Sequence, residues 1–460
     1  MSRMISRQRM IGLILTGCVC AGIAVSGTLL GGNGMIPVYD GDGNEIAELF
    51  LEDGELQYQC EEKYQAYIDL VRNEVLDVVM EQEGKTREEA AAQIISKGYN
   101  IRTGLSEKAV DGLRDAYENN PDAALGNTAA AVSDTRGLLI ACYSSSAEGN
   151  SYNYVTVPAY AGSAIKPLSV YAPALESRTI TWSSLYRDSP YALVENDEGQ
   201  MVEWPVNTEP YTDQMITVED AVAQSNNAVA VKVLRDSGVE RACYFLEDAF
   251  GIQTGSEIET IEEKGEDRVL SNIALGYLEG GVTVEQMTGA YQVFANGGIY
   301  YETHTVTEIL DGDNVYYAAP EDGERVISAQ TAYIMNRLMS RVVREGTGTS
   351  AQIDGVDVCG KTGTSEYGDH WFAGITPEYV CVVWYEEGTA GGSTDSSVRV
   401  FRDAVEALEH FEDQEYPQTP GVEEVTYCRA SGMISGSHCQ DIGTGYYSRD
   451  NTPGVCTECR

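Results

Sequence analysis

Basic residues are scarce in this chain, and that scarcity limits the partners it can have. The 460 residues include 30 Lys and Arg against 72 Asp and Glu, which gives a formal net charge of −42. Proteins bind phosphate backbones through clustered Lys and Arg, so this balance excludes nucleic acid as a partner. The excess of carboxylates indicates a well-solvated exterior, and the length leaves room for about two or three domains.

A long apolar run without any charge is found at the N-terminus. Residues 10–30 carry no charged side chain and are long enough to cross, as a helix, a bilayer core of about 30 Å. Arginines precede the run and the first acidic residue is Asp40, so the positive-inside rule predicts a cytoplasmic N-terminus. We therefore expect residues 1–33 to form a single-pass anchor in the cell membrane, with the rest of the chain extracytoplasmic. A cleaved signal peptide, or lipoprotein processing at Cys18, would export the chain equally well.

Most of the cysteines fall into two groups. The 11 cysteines permit disulfides in an exported chain but do not require them. One group lies in apolar or helical stretches and is expected to pack as small buried hydrophobes: Cys142, Cys243, Cys359 and Cys381. The other group crowds the end of the chain: Cys428, Cys439, Cys456 and Cys459. We expect two disulfides there. The spacing of Cys456 and Cys459 also suits zinc, but the tail has no second CxxC pair to complete such a site.

The hydrophobic pattern predicts an α+β fold. Apolar alternation and turn residues predict a hairpin at 38–47, helices between 60 and 120, strands at 129–132, 138–142, 356–364, 370–375 and 379–385, and a closing helix at 398–411. An early strand pair, central helices and late strands imply an antiparallel sheet that distant parts of the chain complete.

Three short motifs follow one another in a fixed order. Ser163 is followed three residues later by Lys166, then come Ser225-Asn226-Asn227 and finally Lys361-Thr362-Gly363-Thr364. Each motif alone is weak, because such patterns arise often by chance. Together and in this order they resemble the signature of active-site serine acyltransferases that recognise D-Ala-D-Ala peptides and β-lactams.

The first motif contains a nucleophile and a base. On a helix the i,i+3 spacing puts Lys166 on the same face as Ser163, and serine needs such a neighbour to take its proton. A free lysine, with a pKa of about 10.4, stays protonated at neutral pH. Burial and a second cation lower that pKa, and Lys361 is the natural candidate for the cation.

The other two motifs are expected to handle the proton and the substrate. Ser225 can relay a proton and Asn227 can hold the substrate peptide, although Ser and Asn at this point also suit a helix cap. Lys361 and the Thr364 hydroxyl can bind a terminal carboxylate. Gly363 on the same strand is expected to let the substrate backbone approach closely.

The residues around the motifs narrow the resemblance to one family. Segments 162–168, 188–190, 204–207, 221–230, 290–298, 345–348, 360–364 and 369–374 resemble class A penicillin-binding transpeptidases, of the serine D,D-peptidase and β-lactamase-like superfamily. The resemblance covers about residues 125–412. It implies a five-stranded antiparallel sheet between helical layers, an oxyanion hole made by the N–H groups of Ser163 and Thr364, and a substrate-binding role for Thr362.

The resemblance also implies a domain order. We expect an anchor at 1–33, a partly helical linker or pedestal at 34–124, the transpeptidase domain at 125–412 and a Cys-rich tail at 413–460. Class A proteins carry a glycosyltransferase domain between anchor and linker, and its histidine-containing signature is not found here. The expectation is a transpeptidase without that domain, with a separate glycosyltransferase as a candidate partner.

The implied reaction is cross-linking of peptidoglycan stem peptides that end in D-Ala-D-Ala, through a Ser163 acyl-enzyme that β-lactams also form. No metal or organic cofactor is expected in the site. A D,D-carboxypeptidase would use the same residues with water as the acceptor. A β-lactam sensor or a silent scaffold is the alternative from a different class of protein, although intact catalytic motifs argue against silence.

Overall fold

The computed structural model describes residues 34–195, 198–255, 266–388, 392–408 and 415–459. The strands in these ranges are β1 Met35–Tyr39, β2 Glu45–Glu52, β3 Glu55–Cys60, β4 Asn100–Thr103, β5 Thr128–Asp134, β6 Leu139–Ser145, β7 Leu185–Arg187, β8 Ala192–Glu195, β9 Met201–Trp204, β10 Met215–Thr217, β11 Ile299–Tyr300, β12 Val306–Asp311, β13 Asn314–Ala318, β14 Glu324–Arg325, β15 Cys359–Thr364, β16 Asp369–Ile375, β17 Tyr379–Glu386, β18 Val422–Cys428 and β19 Ile442–Ser448. The α-helices are α1 Gln65–Glu83, α2 Arg87–Lys97, α3 Glu107–Asn119, α4 Ala172–Glu176, α5 Val218–Ala223, α6 Asn227–Ser237, α7 Val239–Phe250, α8 Glu266–Leu275, α9 Val284–Ala295, α10 Ala329–Glu345 and α11 Thr394–Glu406. Short 3-10 turns lie at Glu62–Tyr64, Pro121–Ala124, Gly162–Ile165, Thr349–Ala351 and Arg449–Asn451, and a π-helical turn at Pro167–Tyr171.

Two distant parts of the chain build the central sheet. Its order is β15-β16-β17-β5-β6, and every neighbouring pair is antiparallel. The inner strands β16, β17 and β5 are buried along nearly their whole length, because their small and apolar residues are covered on both faces. The predicted α+β fold with a five-stranded antiparallel sheet is confirmed, and so are its early strand pair and its three late strands.

Side chains that alternate along β16 define the two covered faces. Phe372 packs against Phe401 of α11, with ring centroids 4.9 Å apart, and α3 packs beside α11. The preceding residue, Trp371, points to the opposite face, where its indole N–H donates to the Tyr160 carbonyl at 2.8 Å. Both aromatic side chains are fully buried and belong to the core. The turn Gly162–Ile165 follows Tyr160, so the predicted nucleophile lies on this second face.

A second sheet, ordered β13-β12-β4-β1-β2-β3, joins strands of the N-terminal region to two strands from the middle of the chain. The predicted hairpin is present as β1 and β2, and α1 to α3 occupy the region predicted as helical. Strand β4 was not predicted, because its four residues are too few to show an alternation. Strands β12 and β13, from the middle of the chain, were not predicted either, and they complete this sheet through β4. The boundary between 34–124 and 125–412 stays a prediction, and strands from the second segment cross it.

The closing helix is described by the structure, whereas the predicted anchor is not. Helix α11 begins at Thr394, four residues before the predicted start, because Ser393 caps it by accepting the Asp395 N–H at 3.3 Å. The predicted transmembrane segment, residues 10–30, lies outside the described residues. Within the described ranges, no helix combines the length and the apolar composition that crossing a membrane requires.

The cysteines follow the sequence prediction in the domain and depart from it in the tail. The four expected to be buried in the domain are all buried thiols. In the tail the two predicted disulfides are not formed. Instead, Cys428, Cys439, Cys456 and Cys459 are thiols whose sulfur atoms all lie within 4.8 Å of one another, as one cluster rather than two pairs.

Candidate active site

Ser163 lies in the 3-10 turn Gly162–Ile165, which leads into further helical residues. The Lys166 N–H donates to the Ser163 carbonyl, closing this turn. Residues three apart eclipse each other in 3-10 geometry, so the Lys166 side chain lies on the same side of the turn as Ser163. The structure therefore places the predicted nucleophile and base on one side of the turn, as their spacing indicated.

Two glycines allow strand β15 to lie directly against this turn. Gly162 has a φ of +53°, and a side chain there would come within 2.3 Å of the Thr364 carbonyl oxygen. A side chain at Gly363 would come within 2.4 Å of the Ala161 carbonyl oxygen. The Thr364 backbone thus lies beside the start of the Ser163 turn, where the resemblance implies an oxyanion hole. Gly363 therefore faces the turn and admits its backbone, and the expected approach of a substrate backbone at Gly363 stays a prediction.

The second motif forms the corner between α5 and α6. Ser225 has a φ of +58°, an uncommon conformation for a residue with a side chain. The Asn226 side-chain oxygen accepts the Val229 N–H at 2.9 Å and caps α6. The capping role that the sequence left open therefore belongs to Asn226, and the side chains of Ser225 and Asn227 make other contacts.

Those contacts join all three motifs. Lys166 Nζ donates to Asn227 Oδ1 at 2.6 Å and to the Ser225 carbonyl at 2.8 Å. Lys361 Nζ donates to Ser225 Oγ at 2.8 Å and to the Thr362 carbonyl at 3.0 Å. The Ser225 hydroxyl therefore contacts Lys361, whereas Lys166 contacts the carbonyl of the same residue.

Burial controls the charge on both lysines, which have no exposed surface. Removal from water lowers the pKa of Lys166 well below its usual value, and the neighbouring Lys361 lowers it further. Burial also lowers the pKa of Lys361 to about 7. The direction and both causes predicted for Lys166 are thus confirmed. A lysine with such a pKa can be neutral at physiological pH, as a general base must be.

A buried carboxylate that the sequence analysis did not assign to the site braces the second motif. Asp188 Oδ1 accepts from the side-chain amides of Asn226 at 2.8 Å and Asn207 at 2.9 Å. Its other oxygen accepts the N–H and the hydroxyl of Thr212, at 2.8 and 2.9 Å. Burial pushes the pKa of Asp188 upward, but these hydrogen bonds outweigh it and hold the pKa below its usual range. Asn207 also accepts the Asn227 N–H at 2.9 Å, so the brace reaches the motif at two points.

Replacing Asp188 with alanine should destabilise the protein and slow any reaction that uses Ser225. Because the carboxylate accepts four hydrogen bonds, its loss should lower the free energy of unfolding by at least about 1.5–3 kcal/mol, the usual value of one hydrogen bond to a charged group. Thermal unfolding measures the effect. Asp450→Ala is the control, because that exposed carboxylate pairs with Arg178 at the surface. Equal midpoints for the two variants would contradict the bracing role.

The threonines of β15 have their hydroxyls on the face opposite Lys361. Thr362 Oγ1 lies 2.6 Å from Thr347 Oγ1, and the Thr362 side chain is buried. Thr364 Oγ1 lies 2.5 Å from Thr394 Oγ1, at the start of α11. His370 Nδ1 lies 3.0 Å from Thr394 Oγ1. The predicted carboxylate-binding hydroxyl of Thr364 therefore belongs to a polar chain that no short motif in the sequence reveals.

The arrangement can be compared with known proteins. Residues 122–406 match the family described as the penicillin binding protein transpeptidase domain. The chain belongs to this family. The match covers the central sheet and all three motifs, which confirms the resemblance found in the sequence.

Individual penicillin-binding proteins are similar to the chain over most of its length. Penicillin-binding protein 1F of Bacillus subtilis is 32% identical over 336 residues, which are 70% of this chain and 43% of that protein. A crystal structure of penicillin-binding protein 1A from Haemophilus influenzae has a TM-score of 0.68 at 17% identity, covering 86% of this chain and 78% of that one. The PonA1 protein from Mycobacterium tuberculosis in complex with penicillin V has a TM-score of 0.59 at 19% identity, covering 76% and 95%. The chain spans about half the length of the curated relatives it matches.

Proposed function

We propose that this penicillin-binding protein family member is a D,D-transpeptidase that cross-links peptidoglycan stem peptides through an acyl-enzyme on Ser163. The observation that carries the proposal is the buried network in which Lys166 reaches Asn227 and Ser225, and Lys361 reaches Ser225. A surface Ser–Lys pair would leave its ammonium in water and its pKa near the usual value. Here burial lowers the pKa of both ammonium groups, which suits proton transfer near neutral pH.

In the proposed first step, Ser163 Oγ attacks the carbonyl carbon of the penultimate D-Ala while Lys166 takes the hydroxyl proton. The carbonyl oxygen becomes an oxyanion, for which the N–H groups of Ser163 and Thr364 are the candidate donors. The C–N bond to the last D-Ala then breaks, and the departing amine needs a proton. The Ser225 hydroxyl suits this delivery, because it accepts from Lys361 Nζ and retains its own hydrogen to donate.

In the proposed second step, an amine of a neighbouring stem peptide attacks the ester carbonyl and gives up one proton, which restores the hydroxyl of Ser225. The ester C–O bond breaks, and Ser163 Oγ leaves with the proton that Lys166 returns. Water in place of the amine would make the product of a carboxypeptidase. A β-lactam enters the same first step, since Ser163 would open its ring amide and the leaving nitrogen would stay tethered. The PonA1 complex with penicillin V supports this part of the proposal by its fold.

The setting of the reaction is part of the proposal. The apolar run at 10–30, with arginines before it, supports a single-pass anchor in the cell membrane and an extracytoplasmic catalytic domain. Stem peptides ending in D-Ala-D-Ala would then meet the site outside the membrane. A separate glycosyltransferase would supply the glycan strands that carry them.

We expect the protein, after incubation with a penicillin, to gain the mass of one penicilloyl group that stays attached. The adduct should persist because Glu-x-x-Leu-Asn, the deacylation signature of a major β-lactamase class, is absent from the sequence. Intact mass followed over time, with mapping to the peptide that contains Ser163, measures it. Ser169→Ala is the matched control, since this buried serine lies six residues further along and donates to the Ile165 carbonyl. Labelling that survives Ser163→Ala, or penicillin turnover within seconds, would contradict the proposal.

A further inference from the structure

The tail contains a side-chain cluster that the proposed reaction does not use. The tail cysteine cluster (Cys428, Cys439, Cys456 and Cys459) is assembled from three separate pieces of chain. Cys428 ends strand β18, Cys439 lies in a turn that the Cys439 N–H closes onto the Gly436 carbonyl, and the last two lie just before the end of the chain. Backbone pairing of Ile434 with Val455 brings the last piece to the first two.

The spacing of the sulfur atoms is that of a tetrahedral metal site. Cys428 Sγ lies 3.5 Å from Cys459 Sγ, which lies 3.8 Å from Cys456 Sγ. All four sulfur atoms are within 4.8 Å of one another. Four thiolates around one zinc ion, at the usual Zn–S distance of about 2.3 Å, are about 3.8 Å apart along each tetrahedral edge. Two disulfides would instead hold the sulfurs as two bonded pairs at about 2.05 Å.

A backbone N–H group points at one of these sulfur atoms. The Gly436 N–H donates to Cys439 Sγ at 3.3 Å. Hydrogen bonds of this kind orient the ligands of metal sites. The turn that joins Gly436 to Cys439 therefore suits a cysteine that coordinates a metal.

A bound metal would also stabilise the tail. Its regular structure is the hairpin of β18 and β19, and a hairpin alone is marginally stable in water. Tyr427, next to Cys428, donates its hydroxyl to the fully buried Glu219 of α5, and Ser183 Oγ donates to the Gly432 carbonyl at 2.6 Å. A bound metal would fix the loops that present these contacts. The hairpin is thereby held against α5, the helix that leads into Ser225.

We propose that the tail cysteine cluster binds one structural Zn²⁺ as four thiolates. Binding replaces the four thiol protons, which are released to solvent, and no redox partner is required. Four sulfur ligands in a closed tetrahedron leave no position for water or substrate, so the role is structural. This site is separate from Ser163 and does not depend on the proposed transpeptidase activity.

The test is the metal content of the full chain, purified without chelators. We expect one zinc per chain by elemental mass spectrometry, and loss of that zinc in the double variant Cys456→Ser, Cys459→Ser. Cys60→Ser is the matched control, because this cysteine ends β3 in the other sheet, and it should keep one zinc. Replacement of the zinc by Co²⁺ in the unaltered chain should produce the thiolate-to-cobalt absorption and the visible bands of a tetrahedral Co²⁺ site. This measurement decides the matter even if the double variant fails to fold.

Any of three results would overturn the proposal. The first is a tail whose mass is four hydrogens lower than that of four thiols, with no zinc, which means two disulfides. The second is a metal content that the double variant retains, and the third is iron in place of zinc. Alkylation supplies a supporting outcome: the tail cysteines should resist iodoacetamide until a chelator is added, and Cys60 should react equally with and without the chelator.

Discussion

Replacement of Lys166 by methionine is expected to slow penicillin acylation of Ser163 by about 10²–10⁴-fold, the usual contribution of a general acid–base group. Lys166 is fully buried, and its Nζ donates to Asn227 Oδ1 and to the Ser225 carbonyl. Methionine is chosen because it fills a similar volume without the amine, so packing is preserved while the base is lost. The second-order acylation rate constant measures the effect.

The control for this variant is Lys97→Met, which removes an exposed lysine that pairs with Asp311. Its acylation rate should equal that of the unaltered protein. A cooperative thermal transition in Lys166→Met would show that the variant is folded. If the folded variant is acylated at nearly the original rate, Lys166 is not the base, and the proton of Ser163 goes elsewhere.

Much of the central sheet could be predicted because its strands carry local patterns. Strands β16 and β17 are runs of apolar and small residues between turn residues, and β5 and β6 flank a Gly-containing turn. Such patterns depend on neighbours in sequence, which one chain reveals by itself. The number of strands in the sheet, by contrast, was implied only by the family resemblance, and their order was not predicted.

What the sequence could not reveal depends on contacts between distant residues. Strand β12 pairs with β4, about 200 residues earlier, and β13 pairs with β12. Nothing in the sequence of β4 or of β12 identifies the other as its partner. The same holds for Asp188, which looks like an ordinary loop carboxylate until its four hydrogen bonds are seen.

The candidate site shows the same limit at the level of single residues. The motifs predicted which side chains meet, but they did not separate the roles of neighbours within a motif. Asn226 caps a helix while Asn227 contacts Lys166, although the two residues are chemically identical. Gly363 was expected to admit substrate, and the structure shows that it also admits the Ala161 backbone. Which face of a strand a residue occupies is set by the register of the sheet, and a motif alone does not contain it.

The rate of acylation by penicillins is expected to depend on the ionisation of both lysines. Loss of the Lys166 proton should raise the rate, and loss of the Lys361 proton should lower it. The second-order rate constant reports the ionisation of the free enzyme, so it should rise with pH as Lys166 loses its proton. It should then fall as Lys361, with a pKa of about 7, loses the charge that would hold the ligand carboxylate. The predicted profile for a carboxylate-bearing penicillin is therefore bell-shaped, with Lys361 responsible for its falling limb.

Two replacements of Lys361 test its two roles, which are binding of the ligand carboxylate and lowering of the pKa of Lys166. In Lys361→Arg the guanidinium stays protonated across the range, so the falling limb should disappear, with partial activity because the geometry differs. In Lys361→Met the rate constant should drop by about 10–100-fold, as expected for the loss of a hydrogen bond to a charged group. Its rising limb should also move to higher pH, because the positive charge that lowers the pKa of Lys166 is gone.

The ligand supplies the control for this last prediction. A penicillin whose carboxylate is esterified has no charge for Lys361 to bind, so Lys361→Met should slow its acylation far less than that of the free acid. The shift of the rising limb should persist with the ester, because it comes from Lys166 and not from the ligand. An equal loss of rate with both ligands would show that Lys361 does not bind the carboxylate. An Arg variant that keeps the falling limb at the same pH would assign that limb to another group.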